Sequence, residues 1–105
     1  MSRSVRFEPE ALLELSHAVN WYEDRRSGLG ADFLRAVDAA AHSIAQQRIL
    51  GLRLPGLDSS STVRRVAVPR FPYQVVFQVV DEVVRVLAVA HDRRRPGYWA
   101  GRITD

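Results

Sequence analysis

The residues most able to do chemistry follow an apolar run near the carboxyl end of the chain. Residues 83–90 are almost entirely aliphatic, and they lead into His91, three consecutive arginines at positions 93–95, Tyr98 and Trp99. Guanidinium groups bind phosphates and carboxylates through paired hydrogen bonds, and neighbouring aromatic rings add stacking surface. This arrangement at the end of a strand predicts a binding site for an anionic partner.

The type of basic residue in this chain limits which catalytic roles the segment can perform. All fifteen are arginine and none is lysine. Arginine stays protonated in proteins, so none of these cations can act as a general base. His91 is the candidate base of the region, because imidazole ordinarily titrates near working pH. His17 and His42 fall within amphipathic helical patterns, so we interpret them as packing or surface residues.

Charge is distributed unevenly along the chain, whose net charge is +3. Residues 1–52 carry six arginines against seven acids, whereas residues 53–105 carry nine against five. The positive field therefore belongs to the carboxyl half, which also contains the predicted anion site.

Length and composition define the class of protein. With 105 residues, 47% of them hydrophobic and 26% charged, the chain is typical of one globular domain spanning residues 1–105. It has no cysteine and its three histidines are scattered, so we expect no metal and no other cofactor. No signal-like or membrane-spanning apolar run is present, which favours a cytoplasmic protein without membrane association.

Two helices are predicted to precede the basic segment, which spans residues 91–99. Residues 4–7 alternate polar and apolar as a short strand does, and Glu8-Pro9-Glu10 is typical of a helix start. This helix should end near residues 27–28, where Gly28 can take the left-handed conformation. Its predicted buried face consists of Leu12, Leu15, Val19 and Tyr22.

The second helix is predicted to run to about residue 47 and to pair with the first as an antiparallel hairpin. Its apolar residues recur with helical period. They are Phe33, Val37, Ala40, Ala41 and Ile44.

Three strands are predicted to follow an irregular surface loop over residues 48–62. Residues 63–68, 73–80 and 83–90 are rich in β-branched side chains, which favours an antiparallel meander. The connection at Asp81 and Glu82 lacks glycine, which favours a loop wider than two residues. The predicted fold is therefore α+β, with a four-stranded sheet that carries the helix hairpin on one face.

Alternation along the strands predicts which side chains face away from the helices. Tyr73, Val75, Phe77 and Val79 should meet the helices, and Gln74 should lie on the opposite side. Arg64 and Arg65 are adjacent and point to opposite faces, so at least one should reach the uncovered side. The uncovered face is predicted to be a polar, basic concavity.

Four segments in this order resemble the RelE/ParE superfamily, the toxins of bacterial type II toxin–antitoxin (plasmid stabilisation) modules. They are Trp-Tyr-Glu at residues 21–23, Gly-Leu-Gly-Ala-Asp-Phe at 28–33, Arg-Phe-Pro-Tyr-Gln-Val-Val-Phe at 70–77, and the strand with its basic tail at 86–96. The resemblance covers nearly the whole chain. It implies the fold described above and a cognate antitoxin as partner, with operator DNA contacted only through that antitoxin.

The resemblance implies two mechanisms on one fold. RelE-like toxins cleave messenger RNA on the ribosome without a metal, and a match to them makes Arg65 and Arg94 candidate catalytic residues, with His91 as the candidate base beside them. Gln74 stands where those toxins often have an arginine, and no lysine is available as a base. Candidates for binding RNA or another target are Arg64, Arg70, Gln74, Arg93, Arg95, Tyr98 and Trp99.

ParE-like toxins instead bind and poison DNA gyrase, which requires a complementary surface and no catalytic geometry. The basic tail with Tyr98 and Trp99 could supply that surface, and both mechanisms remain open at this point. A third possibility is a degenerate, non-toxic relative that only binds antitoxin.

Overall fold

The computed structural model of the protein describes residues 3–47, 50–54 and 61–103. Strand β1 (Ser4–Phe7) is followed by helices α1 (Pro9–Arg25) and α2 (Leu29–Ala45). Strands β2 (Leu52–Arg53), β3 (Val63–Ala67), β4 (Tyr73–Val80) and β5 (Val83–His91) complete a sheet, and a short 3-10 helix (Ala100–Arg102) follows. Within these ranges, neither α-helix combines the length and apolarity needed to cross a membrane.

In the described part of the chain, the sheet has five strands in the order β1-β5-β4-β3-β2. The predicted helix hairpin and antiparallel meander are confirmed, and β1 adds to the meander by pairing in parallel with β5. The predicted count of four strands was wrong, because β2 lies within the segment assigned to a loop and pairs with Arg64 and Arg65. A two-residue strand leaves no periodic signal in a sequence. Residues 48–49 and 55–60 of the predicted loop lie outside the described residues.

The connection between β4 and β5 is tighter than its sequence indicates. Val80 pairs directly with Val83, so only Asp81 and Glu82 form the turn, and the predicted wider loop was wrong. Both residues take positive φ values, 49° and 64°, as a type I′ turn requires. Two long paired strands hold this turn closed, so their pairing outweighs the absence of glycine.

The junction between the helices is capped by Glu23. Helix α1 ends at Arg25, slightly before the predicted end, and Gly28 takes the left-handed conformation (φ 89°) as the N-cap of α2. The Glu23 carboxylate accepts the Gly28 N–H at 2.9 Å and the Gly30 N–H at 3.0 Å, which satisfies free donors at the α2 amino terminus. A Cβ atom at Gly30 would lie 2.6 Å from the Val19 carbonyl oxygen, so this close helix crossing requires glycine.

The main core lies between the helices and one face of the sheet. All five predicted apolar residues of α2 are buried, and Val75 and Phe77 meet them from the sheet. On α1 the buried stripe is rotated slightly from the prediction. Ala11 and Ala18 are fully covered, whereas Leu12 is 50% exposed.

A second apolar cluster covers the opposite face of the sheet, so the predicted polar concavity there was wrong. Val76, Leu87 and Ala88 are buried on this face beneath Trp99, with Ile103 packed at its margin. A bulge in β5 helps to build it. Val76 pairs with Ala88 and Phe77 with Val86, so Leu87 is the extra residue and shares a face with Ala88. The chain after β5 therefore folds back over the sheet instead of leaving it open.

Candidate functional site

The basic segment begins in a turn that is fixed to the sheet. The Asp92 N–H donates to the Pro72 carbonyl at 2.8 Å, and the Arg94 N–H donates to the His91 carbonyl at 2.9 Å. The first contact ties the segment to the β3–β4 turn, and the second closes the chain on itself. These two hydrogen bonds therefore fix where residues 93–95 begin, directly after the end of β5.

Glu14 connects α1 to the chain on either side of this turn. Its carboxylate accepts the Val89 N–H at 3.1 Å, the Tyr98 hydroxyl at 2.8 Å and an Arg102 Nη1–H at 3.1 Å. Because β1 ends at Phe7, Val89 lies beyond the parallel pairing on that edge of β5, and Glu14 takes the place of a strand acceptor. The Glu14 side chain is only 14% exposed, so these contacts are largely shielded from water.

Tyr98 lies between this carboxylate and two guanidinium groups. The Arg94 guanidinium carbon is 3.9 Å from the Tyr98 ring centroid, and that of Arg102 is 5.2 Å away. The pKa of the Tyr98 phenol lies well above its ordinary value of 10.0, first because burial disfavours the phenolate. The hydrogen bond to Glu14 and its negative charge act in the same direction, while both arginines partly oppose them. Tyr98 therefore stays a neutral hydrogen-bond donor.

Arg94 is held from two sides but remains accessible. Its Nη1 lies 3.7 Å from Glu14 Oε2, and its side chain is 54% exposed. Beside it, α1 and the ends of β4 and β5 enclose a pocket of about 600 Å³. The pocket is lined by Glu14, His17, Ala18, Trp21, Tyr22, Pro72, Tyr73, Val89, His91 and Arg94.

His91 lies on the wall of this pocket with one ring nitrogen occupied. Its Nδ1 accepts the Arg93 backbone N–H at 3.0 Å, and its ring packs edge-on against Tyr73 with centroids 5.0 Å apart. When Nδ1 of a neutral imidazole accepts a hydrogen bond, the ring proton resides on Nε2. Neither nitrogen of the neutral ring then has a free lone pair to take a proton from a substrate.

Arg65 and Gln74 form a polar chain across the sheet. Arg65 Nη1 donates to Gln74 Oε1 at 3.1 Å, and Gln74 Nε2 donates to Asp92 Oδ1 at 3.2 Å. Gln74 thus connects β3 to the turn after β5. Arg65 lies on the face opposite the helices, on the side predicted for Gln74, whereas Arg94 lines the pocket beside α1.

The remaining candidates are dispersed. Arg64 donates to the carbonyls of Ser61 and Val63, which holds it at the start of β3. Arg70 is exposed in the β3–β4 turn, and Arg93 and Arg95 are exposed beside Arg94. Trp99 is 4% exposed in the second apolar cluster, so its indole is not available to stack on a nucleobase in this conformation.

Glu14 and Arg102 are central to this site and were not among the sequence candidates. A signal for Glu14 exists, because Ala11 and Ala18 stand three positions before and four after it, on the same helical stripe. A carboxylate among buried alanines requires partners. Arg102 gives no comparable signal, since its position depends on how the chain folds back after β5.

The comparisons with known proteins agree with this architecture. The family model of the ParE toxin of the type II toxin–antitoxin system parDE matches residues 5–96. Among solved structures, a chain of the chromosomal ParDE toxin–antitoxin system from P. aeruginosa superposes with a TM-score of 0.69 at 15% identity. The match covers 86% of this chain and 96% of that one, and at this identity it supports the fold. No curated protein sequence matches at a significant level. Because the family model spans most of its length, the chain belongs to the ParE toxin family of type II toxin–antitoxin systems.

Proposed function

We propose that this protein arrests growth by binding and poisoning DNA gyrase, and not by cleaving RNA. The observation that carries the proposal is the hydrogen bond from the Arg93 N–H to His91 Nδ1. His91 is the candidate neutral base of the region, and this contact occupies the lone pair that RNA cleavage would use. Target poisoning needs no proton transfer, so it is unaffected.

The environments of the two candidate catalytic arginines support the same proposal. Arg94 is stacked on Tyr98 and lies near the Glu14 carboxylate, and Arg65 donates to Gln74. A cation that stabilises a scissile phosphate must direct its donors at the developing charge. Here both guanidinium groups already contact the protein, on opposite sides of β4 and β5.

The surface around Arg94 has the composition of a binding site. Arg93 and Arg95 extend the positive charge beside it, and the pocket next to it presents Trp21, which is 51% exposed. Exposed arginine and tryptophan side chains are the types that contribute most to protein interfaces. The proposed toxic surface therefore consists of the 91–95 turn, Tyr98 and the Trp21 side of α1.

A cognate antitoxin is the second partner that the family implies. We infer that a segment rich in acidic residues covers the arginines at 93–95, because opposite charge favours that contact. Operator DNA would be contacted through the antitoxin. The proposed target places the action of the protein in the cytoplasm.

Two reactions run side by side test the mechanism. Purified protein is added to a gyrase supercoiling reaction and, separately, to ribosomes translating a defined messenger RNA. Inhibited supercoiling with intact messenger RNA is the expected result. Cleaved messenger RNA with unaffected supercoiling would overturn the proposal in favour of a ribonuclease. If induced, folded protein fails to slow growth without antitoxin, the chain only binds antitoxin.

A further inference from the structure

Glu14 joins three segments that are distant in sequence. It lies in the middle of α1, and its partners Val89, Tyr98 and Arg102 are 75, 84 and 88 residues away. Arg102 Nη1 also donates to the Leu87 carbonyl at 2.9 Å, at the β5 bulge. One carboxylate thus links the helix layer, the edge of β5 and the chain that folds back after it.

The chain beyond Pro96 is held by two different kinds of contact. Tyr98 and Arg102 direct their polar groups to Glu14, while Trp99, between them, enters the second apolar cluster on the far face of the sheet. Apolar burial is not directional, so Trp99 alone does not fix where its neighbours lie along the edge of β5. The hydrogen bonds to a shielded carboxylate do fix that position.

The position of Tyr98 in turn determines the position of Arg94. The Tyr98 ring supports the Arg94 guanidinium at 3.9 Å, and Glu14 Oε2, which accepts the Tyr98 hydroxyl, lies 3.7 Å from Arg94 Nη1. Glu14 is mostly buried, so it contributes little surface of its own.

We infer that Glu14 is the positioning residue of the toxic surface: it locks residues 96–103 against α1 and thereby presents Arg94 to the target. The alternative is that Glu14 stabilises the fold without affecting where Arg94 lies. These two roles of Glu14 can be distinguished in a folded variant. Only the positioning role, which we call the lock, predicts that residues 96–103 are displaced while the helices and the sheet stay intact.

Trp99 reports directly on this lock. The chain has two tryptophans, so a Trp21→Phe background leaves Trp99 as the sole indole emitter. In that background we compare Glu14→Ala and Glu14→Gln with Asp24→Asn, which removes an exposed acid from the same helix. Acrylamide quenching measures access to Trp99, and far-UV circular dichroism verifies that the protein is folded.

The lock predicts graded effects. Glu14→Ala should raise the quenching of Trp99 severalfold while the protein stays folded, and Asp24→Asn should leave it unchanged. Glu14→Gln keeps one acceptor oxygen, which can serve the Val89 N–H or the Tyr98 hydroxyl but not both, so it should fall between them. Gyrase inhibition is measured with Trp21 in place, and there Glu14→Ala should weaken it about tenfold or more, as expected for losing a charge-assisted hydrogen bond.

Shielding of Trp99 that is unchanged in folded Glu14→Ala would overturn the inference. So would undiminished gyrase inhibition by a protein whose Trp99 has become accessible. If Glu14→Ala does not fold, Glu14→Gln and Arg102→Gln, which removes a hydrogen bond to Glu14 from the other side, must each raise the quenching of Trp99 above that of Asp24→Asn, or the inference fails. The effect on gyrase rests on the proposed function, whereas quenching needs no target, so the two can fail separately.

Discussion

The guanidinium of Arg94 lies over the ring of Tyr98, 3.9 Å from its centroid, and the hydroxyl of that ring donates to Glu14. A half-exposed cation is thereby attached to a largely buried acid through one aromatic side chain. This relationship separates the group that we propose meets a target from the groups that support it, and the two can be altered independently.

Arg94→Ala is expected to abolish growth arrest while leaving the fold intact. Its side chain is half-exposed and its contact with Glu14 is 3.7 Å long, so losing the ion pair should cost about 1 kcal/mol or less. Glu14 keeps its three hydrogen bonds. Growth after induced expression without antitoxin measures toxicity, with exposed Arg26→Ala as the matched control. A folded Arg94→Ala protein that still stops growth would exclude this cluster as the toxic surface.

Stability should fall at alkaline pH because of Tyr98. Its pKa is raised on folding, so the unfolded chain releases the phenolic proton at a lower pH than the folded protein does. The contribution is complete below pH 10.0, the ordinary tyrosine value, and declines as the pH rises towards the folded pKa.

Urea denaturation at a series of pH values tests this dependence, and Tyr98→Phe should flatten it. The chain has no lysine, so its three tyrosines dominate side-chain titration in that range. Tyr22 and Tyr73 also have raised pKa values and remain in the variant, so part of the slope should persist. An identical slope for wild type and Tyr98→Phe would contradict the assignment.

Trp99→Ala is expected to destabilise the protein by about 3–5 kcal/mol, as large-to-small changes in a core do. Its indole is buried against Val76 and Leu87 on the far face of the sheet. Trp21→Ala, at a half-exposed position, should cost about 1 kcal/mol or less. Equal losses in urea denaturation would mean that the chain after β5 does not cover that face.

Gly30→Ala should destabilise the helix hairpin by about 1–3 kcal/mol, because the added methyl group meets the Val19 carbonyl at 2.6 Å. Gly101→Ala is the matched control, since its new methyl group would meet none of the described residues within 4 Å. Thermal unfolding of both variants measures the difference. A Gly30→Ala protein as stable as Gly101→Ala would mean that the helices can separate at little cost.

The sequence predicted those parts of the fold in which one periodic pattern dominates. The apolar spacing of α2 and the alternation of β4 each specify one buried face, and both faces are buried as expected. The pattern fails where the interaction is between distant segments. Strict alternation would turn Ala88 towards the helices, but the bulge at Leu87 keeps it on the far face, and Trp99 is buried because the chain reverses after Pro96. Neither event leaves a local signal.

The candidate site was predictable in composition but not in organisation. Residue type alone indicated a cluster of arginine and aromatic side chains after the last strand. Which of the three arginines is held in place depends on Glu14, which lies in α1 near the other end of the chain. Arg93 and Arg95 have the same chemistry as Arg94, but Arg94 is the one stacked on Tyr98.

The second apolar cluster also restricts how a gene for this protein could lose the proposed toxicity and still encode the proposed antitoxin binder. A premature stop codon after Arg95 would remove Trp99 and expose Val76 and Leu87 to water, so we expect the shortened product to aggregate and to be recovered in inclusion bodies. Missense changes at the surface arginines leave that cluster covered. Inactivated copies that still fold should therefore carry substitutions, and not truncations, in this segment.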